Sequence, residues 1–532
     1  MRYRLWACLL GLAASGFAQF GEKVTVRLME IPVQVTDRTG HAILQLSKED
    51  FRFAEDGLPQ EITHLYEVKE SAIARRQFAD FLKEKGITPP APEVRKRIVV
   101  FLDVLHLQSN QYQRLLPALE NFLSTALTAG DEAAVFGAMP NLKVLLPWTS
   151  SVGDAQVFLR GFTSGGAQAL SRVNEGRMVE ENIARQGNYQ MALIQVRGFA
   201  EEQRTEALAT VEAMKAAMEF TAGLGGRKFF LYVGEGYSLI PGIEYFYQLE
   251  RRFPMQASLN DASNFDLSPA FRDLGLFAAS HGFVLTAVDS RGLASAAPGS
   301  DAEVGSHDPD AGVDMSGLSA AQRGMQDSLE LLTEPSGGRA VVNTNDFDAA
   351  LARAGLELNH YYVLGYQPRH PPDGKVHTLT VRLTNPEFLV NARRSYQDYS
   401  EDDAFPLRLS SAVQWESGLE NPLGLKVEVG DEKKDGKFYL VPLRIALPRA
   451  SLVFKDGKTS VKLGILTAEG GKRSDTFIQK LDLNAIQWKD KPILVYTVTL
   501  KIRKGDQLLV AGMQDAQGRI SLVKTALRLP RK

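Results

Sequence analysis

Apolar positions along this chain change their period several times, and each change marks a change of element. Residues 97–104, Arg-Ile-Val-Val-Phe-Leu-Asp-Val, carry five consecutive apolar residues into Asp103. An unbroken run of that length reads as a strand buried on both faces, as in the middle of a parallel sheet. Further strand-like runs fall at 133–139, 142–148, 228–234, 282–288 and 361–366. Helix-period stretches at 111–129, 153–160, 190–222, 268–280, 319–333 and 346–358 lie between or after them. The alternation predicts a doubly wound α/β sheet. The link at Asn141 is too short for a crossover, so 142–148 is expected to be an antiparallel edge strand.

The flanks read differently. Residues 22–68 hold short strand runs at 24–28, 31–35, 51–53 and 62–68, with turns at Asp37-Arg38-Thr39-Gly40 and Asp56-Gly57. Ser47-Lys48-Glu49-Asp50 looks like one helical turn. This pattern predicts an Ig-like β module. Residues 69–96 read as a helix and a stiff linker through Pro89-Pro90-Ala91-Pro92. The segment 168–222, rich in Ala, Glu, Arg and Met, is expected to be a helical insertion, and 294–318 a loop with few anchors. Two further strands follow at 376–383 and 388–393. Residues 405–532 alternate apolar runs with turns such as Asp435-Gly436 and Asp456-Gly457, the pattern of a β-sandwich. The expected architecture is a multidomain chain: 22–68 as an N-terminal β module, 97–400 as the α/β domain, and 405–532 as a C-terminal all-β Ig-like module.

Composition narrows the function classes. The 532 residues are 44% hydrophobic and 23% charged with a net charge of −2, so no bulk attraction to nucleic acid is implied. Arg95-Lys96-Arg97 reads as solvated linker. Residues 1–18 read as a secretory signal: Arg2 and Arg4, an apolar core from Leu5 to Ala14, then Gly16-Phe17-Ala18 before a cleavage point at Gln19. The apolar run is short for a membrane span, although retention as an anchor is the alternative. Cys8, the one cysteine, lies inside that signal, so a mature chain without it has neither disulfides nor thiolate ligands. The expected location is the periplasm, cell envelope or extracellular space.

Several motifs, in order, carry a resemblance. Val35-Thr36-Asp37 with Gly40, Leu44 to Phe51, and Glu55-Asp56-Gly57 form one group. Val288-Asp289-Ser290-Arg291-Gly292 and Gly337-Gly338-Arg339-Ala340 form the next. Tyr361 to Tyr366, His377 and Arg393-Arg394-Ser395-Tyr396 close it. With Asp103 and the Gly165-Gly166 turn, residues 22–400 resemble the von Willebrand factor type A-related proteins abundant in Acidobacteria.

Type A domains usually hold a divalent cation at a metal-ion-dependent adhesion site, whose first loop reads Asp-x-Ser-x-Ser and whose oxygen ligands suit a hard ion. By that resemblance Asp103 matches the first acid and Glu235 the third-loop acid, while Leu105, Leu107 and Ala167 replace the hydroxyl ligands. The expectation is a degenerate site, with metal ligands limited to Asp103 and Glu235 and no cofactor beyond weak Mg²⁺. Function then reads as non-catalytic binding of an unknown protein partner. The alternative is a metal-dependent hydrolase using Asp103, Glu235 and Asp289, with His106 as general base. Neither Gly-x-Ser-x-Gly nor His-Glu-x-x-His occurs. His360, His370 and His377 read as loop or core histidines, with no pair at metal spacing. Asp131 is expected to turn the chain into the second strand, and Asp289 to pin the turn into Arg291-Gly292. Tyr361 and Tyr362 should face opposite sides of their strand.

Overall fold

The computed structural model describes residues 29–69 except 39–40, residues 96–293 except 129, 140, 165–166 and 225–226, and residues 315–530 except 400, 414–418, 470–471, 475 and 487–490. The expected signal, the run 24–28, the proline-rich linker, the Gly165-Gly166 turn and most of the loop 294–318 lie outside the described residues.

Strands β1 (Met29–Thr36), β2 (Phe51–Glu55), β3 (Leu58–Pro59) and β4 (Ile62–Lys69) precede the α/β region. Asp56 and Gly57 both take positive φ, 48° and 77°, so the two-residue hairpin between β2 and β3 is the kind that matches strand twist. The central sheet then uses β5 (Lys96–Leu102), β6 (Glu132–Met139), β7 (Asn141–Thr149), β8 (Arg227–Gly234), β9 (Phe283–Asp289) and β10 (Arg339–Val341). Its order is β10-β9-β8-β5-β6-β7. All neighbours are parallel except β6 and β7, so the antiparallel edge that was expected is present, although Asn141 opens β7 and pairs with Met139 rather than lying in the link.

β5 is buried along its whole length because it is central in the sheet and covered on both faces. Val99 and Phe101 join a core formed with helices Tyr189–Ala222, Ser268–Ser280 and Met315–Thr333. Ile98, Val100 and Leu102 face the other way, against Ser109–Ala126, Val152–Gly161 and Phe347–Asn359. Lys96 and Arg97 are buried rather than solvated, which corrects the linker reading. Lys96 Nζ lies 3.2 Å from Asp131 Oδ2 and donates to Ala126 O, while Arg97 Nε lies 3.3 Å from Glu132 Oε2. The Asp131 carboxylate also receives Lys96 N–H and Thr128 N–H and so ties the starts of β5 and β6 together.

Two boundaries differ from the sequence reading. Strand β11 (His360–Tyr366) is absent from the central sheet, whose last strand is β10 instead. It pairs antiparallel with β1 and β4. β12 (Val376–Leu383) pairs with β2, and β13 (Leu389–Ala392) with β1; β14 (Ser395–Gln397) completes the second sheet beside β12. Segments 29–69 and 360–397 therefore build one two-sheet unit, with the α/β region inserted between them, in place of an independent 22–68 module and a domain running to 400. The cause is a shared core: Ile31, Val33 and Phe53 from the first segment pack with Tyr362, Leu364, Tyr366 and Leu379 from the second. Tyr361 and Tyr362 do face opposite sides. The Arg227 guanidinium lies 3.9 Å from the Tyr361 ring centroid, whereas Tyr362 donates to Ile43 O.

The second difference is the helix Glu401–Ala412 ahead of the C-terminal strands. Its Phe405 and Leu409 are fully buried in the central core together with Leu466 and Val510 of the sandwich. Gly464 and Gly512 make room for them: a Cβ at Gly512 would sit 2.7 Å from Leu409 Cδ2, and one at Gly464 would collide with Leu409 as well. Beyond this helix, Phe438–Pro448 pairs with Ile493–Arg503 in one sheet, and Lys458–Glu469 with Gly505–Asp515 in the other. Alternate residues Val441, Leu443 and Ile445 face Leu463, Ile465 and Leu509 across the interior.

Candidate functional site at the carboxyl edge of the central sheet

β5, β8 and β9 end side by side, which delivers Asp103, Glu235 and Asp289 to one sheet edge. Asp103 is 0% exposed. Its main-chain oxygen accepts from the N–H groups of His106 (3.1 Å) and Leu107 (2.8 Å), a tight turn that folds the His106 side chain back over the acid. His106 Nδ1 lies 2.9 Å from Asp103 Oδ1. The other carboxylate oxygen, Oδ2, accepts from the hydroxyls of Tyr232 and Tyr237, each at 2.9 Å. Tyr237 also lies 2.7 Å from His106 Nδ1 and 2.8 Å from Thr210 Oγ1. On the far side of the imidazole, Nε2 lies 3.5 Å from Glu206 Oε2 on helix Tyr189–Ala222.

Burial alone would raise the Asp103 pKa, but the adjacent His106 charge and the hydrogen bonds from His106, Tyr232 and Tyr237 outweigh it and hold the carboxyl below its ordinary value. Burial works against the His106 charge in the same way. The Asp103 carboxylate, supported by Glu206, overrides it and carries the imidazole up to about 9. The two form an ion pair at neutral pH, and Glu206 is lowered chiefly by its bond to His106. Burial next to this carboxylate pushes both tyrosines well above the usual phenol range, so they remain donors.

Glu235 is buried beside this cluster. Gln111 Nε2 donates to its Oε1 at 2.7 Å, and Arg172 from helix Ala167–Arg185 lies 3.7 Å from Oε2. Gln111 in turn accepts from Ser290 Oγ at 3.0 Å. Asp289 receives a two-pronged bond from Arg291, at 2.9 and 2.7 Å, together with Arg291 N–H at 3.0 Å. That is the turn-pinning role expected for it, and Gly292 follows at φ +81°. Leu107 is fully buried in the core beneath the sheet, and Leu105 is half-buried. The structure thus brings together the three acids and His106, each acid with an internal donor or cation.

Sequence reasoning missed Tyr232, Tyr237, Glu206, Gln111 and Arg172. Tyr232 carried a usable signal: it interrupts the apolar run of β8, and a buried tyrosine hydroxyl requires a partner. Glu206 and Arg172 had none, since only the fold of the inserted helices carries them to this edge. His360, at the start of β11, lies apart from the cluster. His370 and His377 lie in the outer two-sheet unit, stacked with ring centroids 4.2 Å apart.

Comparison with known proteins adds likeness without a family. No family model and no curated relative matches the sequence. Solved structures similar to the chain include an aerotolerance-related membrane protein of Bacteroides fragilis, at 11% identity and a TM-score of 0.25 over 49% of this chain and 98% of that one. Another is the von Willebrand factor domain of a type V pilus tip protein of Porphyromonas gingivalis, at 11% and 0.27 over 50% and 95%. A pilus adhesin of Lactobacillus rhamnosus matches at 11% and 0.28 over 90% and 56%. Function is therefore read from the side chains of this chain.

Proposed function

We propose that the protein is an exported, non-catalytic protein-binding molecule built on a von Willebrand factor type A-like sheet, in which internal side chains have taken over the role of the divalent ion. One observation carries the reading: Asp103 is fully buried and both of its oxygens are occupied, one by His106 and the other by two tyrosine hydroxyls. A hard cation needs open oxygens, and Mg²⁺ also keeps several waters. The residues at this edge do not fit such an ion. The imidazolium supplies the positive charge at Asp103, Arg291 supplies it at Asp289, and Arg172 stands nearest Glu235. The apolar residues at 105 and 107 agree with the same substitution. The hydrolase alternative is weakened by His106, which is protonated at neutral pH and so lacks the lone pair of a general base.

Binding then falls to surfaces around the sheet edge. The two inserted helices present Met178, Met191 and Ile194 at 63%, 56% and 66% exposure, large apolar side chains suited to a protein partner. Among the described residues no helix is long and apolar enough to cross a membrane. The test is capture from an envelope extract of the source organism, with wild type and with Met191→Glu/Ile194→Glu, each with and without Mg²⁺. The reading expects a partner that the double variant loses and that is indifferent to Mg²⁺. Capture that requires Mg²⁺ would overturn it.

A further inference from the structure

We infer that His370, Asp373, His377 and Asp398 form a closed site for one zinc-class divalent cation, far along the chain from the acids of the central sheet. One ligand atom from each residue lies within 4.8 Å of every other. Tetrahedral zinc with bonds of about 2.1 Å to nitrogen and oxygen has edges of about 3.4 Å. Two edges already match: His377 Nε2 is 3.1 Å from Asp373 Oδ1, and His370 Nδ1 is 3.5 Å from Asp398 Oδ2. The four ligand atoms must draw together from separations of up to 4.8 Å to reach that geometry. The two rings are stacked at an interplanar angle of 17°, so one must turn for both lone pairs to meet at a single point. His370, 27% exposed, is the ring with room to do so, and its Nδ1 must then leave Pro371 O, which it meets at 3.0 Å.

A second observation points the same way. Each imidazole turns its other nitrogen toward a carboxylate from the β2–β3 hairpin: His377 Nδ1 to Asp56 Oδ2 at 2.7 Å, and His370 Nε2 to Glu55 Oε1 at 3.4 Å. A carboxylate behind the histidine fixes tautomer and ring direction and raises ligand basicity, the usual outer arrangement of a metal-binding histidine. Both supporting acids are themselves held. Glu55 accepts from the hydroxyls of Tyr366 and Tyr396, each at 2.6 Å, and Asp56 from Thr378 N–H at 2.8 Å. The loop is clamped to the end of β14 by Gly374 N–H to Asp398 O and Asp398 N–H to Lys375 O, both 2.8 Å.

The donor set selects the ion. Two imidazoles and two carboxylates favour a borderline transition metal over Mg²⁺ or Ca²⁺, which prefer oxygen alone. Four protein ligands leave no open position, so the role is structural. Four carboxylates surround two imidazoles here, and the neighbouring cation Lys375, 3.4 Å from Asp373, projects into solvent. A bound divalent ion would place positive charge among these carboxylates. It would also fasten the N-terminal hairpin to the returning strands, the two pieces of the sandwich that the α/β insertion separates.

The experiment uses the full, untagged chain after chelator treatment and dialysis, titrated with Zn²⁺ by calorimetry and with Co²⁺ by visible absorption. Expected are one Zn²⁺ per chain, a tetrahedral Co²⁺ spectrum and a rise in melting temperature with Zn²⁺. His370→Gln/Asp373→Asn changes only the two more exposed ligands, and circular dichroism checks that it folds. It should weaken binding by on the order of 100-fold, and Asp56→Asn by about tenfold. Absence of stoichiometric Zn²⁺ binding, equal affinity in the double variant, or Mg²⁺ binding as tight as Zn²⁺ would overturn the assignment.

Discussion

Replacing His106 with glutamine removes the positive charge that balances Asp103 while keeping a side chain of similar reach. In the folded protein burial disfavours the imidazolium, yet the Asp103 carboxylate 2.9 Å away holds its pKa near about 9, against 6.5 for the free side chain. The raised value means that the folded state binds a proton more tightly than the unfolded state. The contribution is fully present below pH 6.5 and is lost as pH rises through about 9. A displacement of this size corresponds to about 3 kcal/mol, lost at no more than about 1.4 kcal/mol per pH unit. Truncating one member of a buried ion pair costs about 3–5 kcal/mol, which agrees with that figure. The assay is hydrogen exchange, corrected for intrinsic rates, of peptides covering Lys96–Leu102. That strand reports on the free energy of the central sheet, whereas a melt of this multidomain chain reports a shift in temperature and not the free energy of one domain. Protection in the wild type should fall between pH 6.5 and 9, and His106→Gln should begin lower by about 3 kcal/mol and lose that slope. Equal slopes in the two proteins would refute the ion pair.

Other substitutions probe the surrounding architecture. Asp103→Asn removes the nearer of the two carboxylates that hold the His106 charge and leaves Glu206, so histidine NMR titration in the variant should find the imidazole well below about 9. Gly338→Ala would drive a Cβ into the Leu285 carbonyl, and the β9–β10 pairing should weaken by about 3 kcal/mol, read as faster exchange in Phe283–Asp289. Phe405→Ala empties the junction between the α/β core and the C-terminal sandwich; a cost of about 3–5 kcal/mol should appear as earlier proteolytic release of residues beyond 401.

The elements that were legible in the sequence share one property: their apolar period is set by local burial on one or both faces. β5, β6, β8 and β9 fall within two residues of their expected bounds, and the shortness of the connection between Met139 and Asn141 fixed the antiparallel edge. The partnership of β1 and β2 with β11 and β12 could not be read, because strand pairing across an insertion of nearly three hundred positions leaves no mark on either strand's own pattern. β11 also looks like a central strand, since both of its faces are covered, one by the sandwich core and the other by Arg227 of the α/β region. Asp103 and Asp289 were legible from their place at strand ends, whereas Glu235 and the loss of hydroxyls at Leu105 and Leu107 were legible only through the family resemblance. Their internal partners, Tyr237, Glu206 and Arg172, arrive from helices and loops whose sequence gives no direction. His370 and His377 read as isolated because seven positions separate them, and a returning loop brings their rings together.

If side chains have replaced a divalent ion at Asp103, added Mg²⁺ should find nothing to bind there. Thermal unfolding of wild type and Asp103→Ala would be compared in metal-free buffer and with millimolar Mg²⁺. A ligand at 100 times its Kd stabilises by about 2.7 kcal/mol, a shift that a melt resolves. The wild type should melt at the same temperature with and without Mg²⁺. A rise in the wild type that disappears in Asp103→Ala would contradict it.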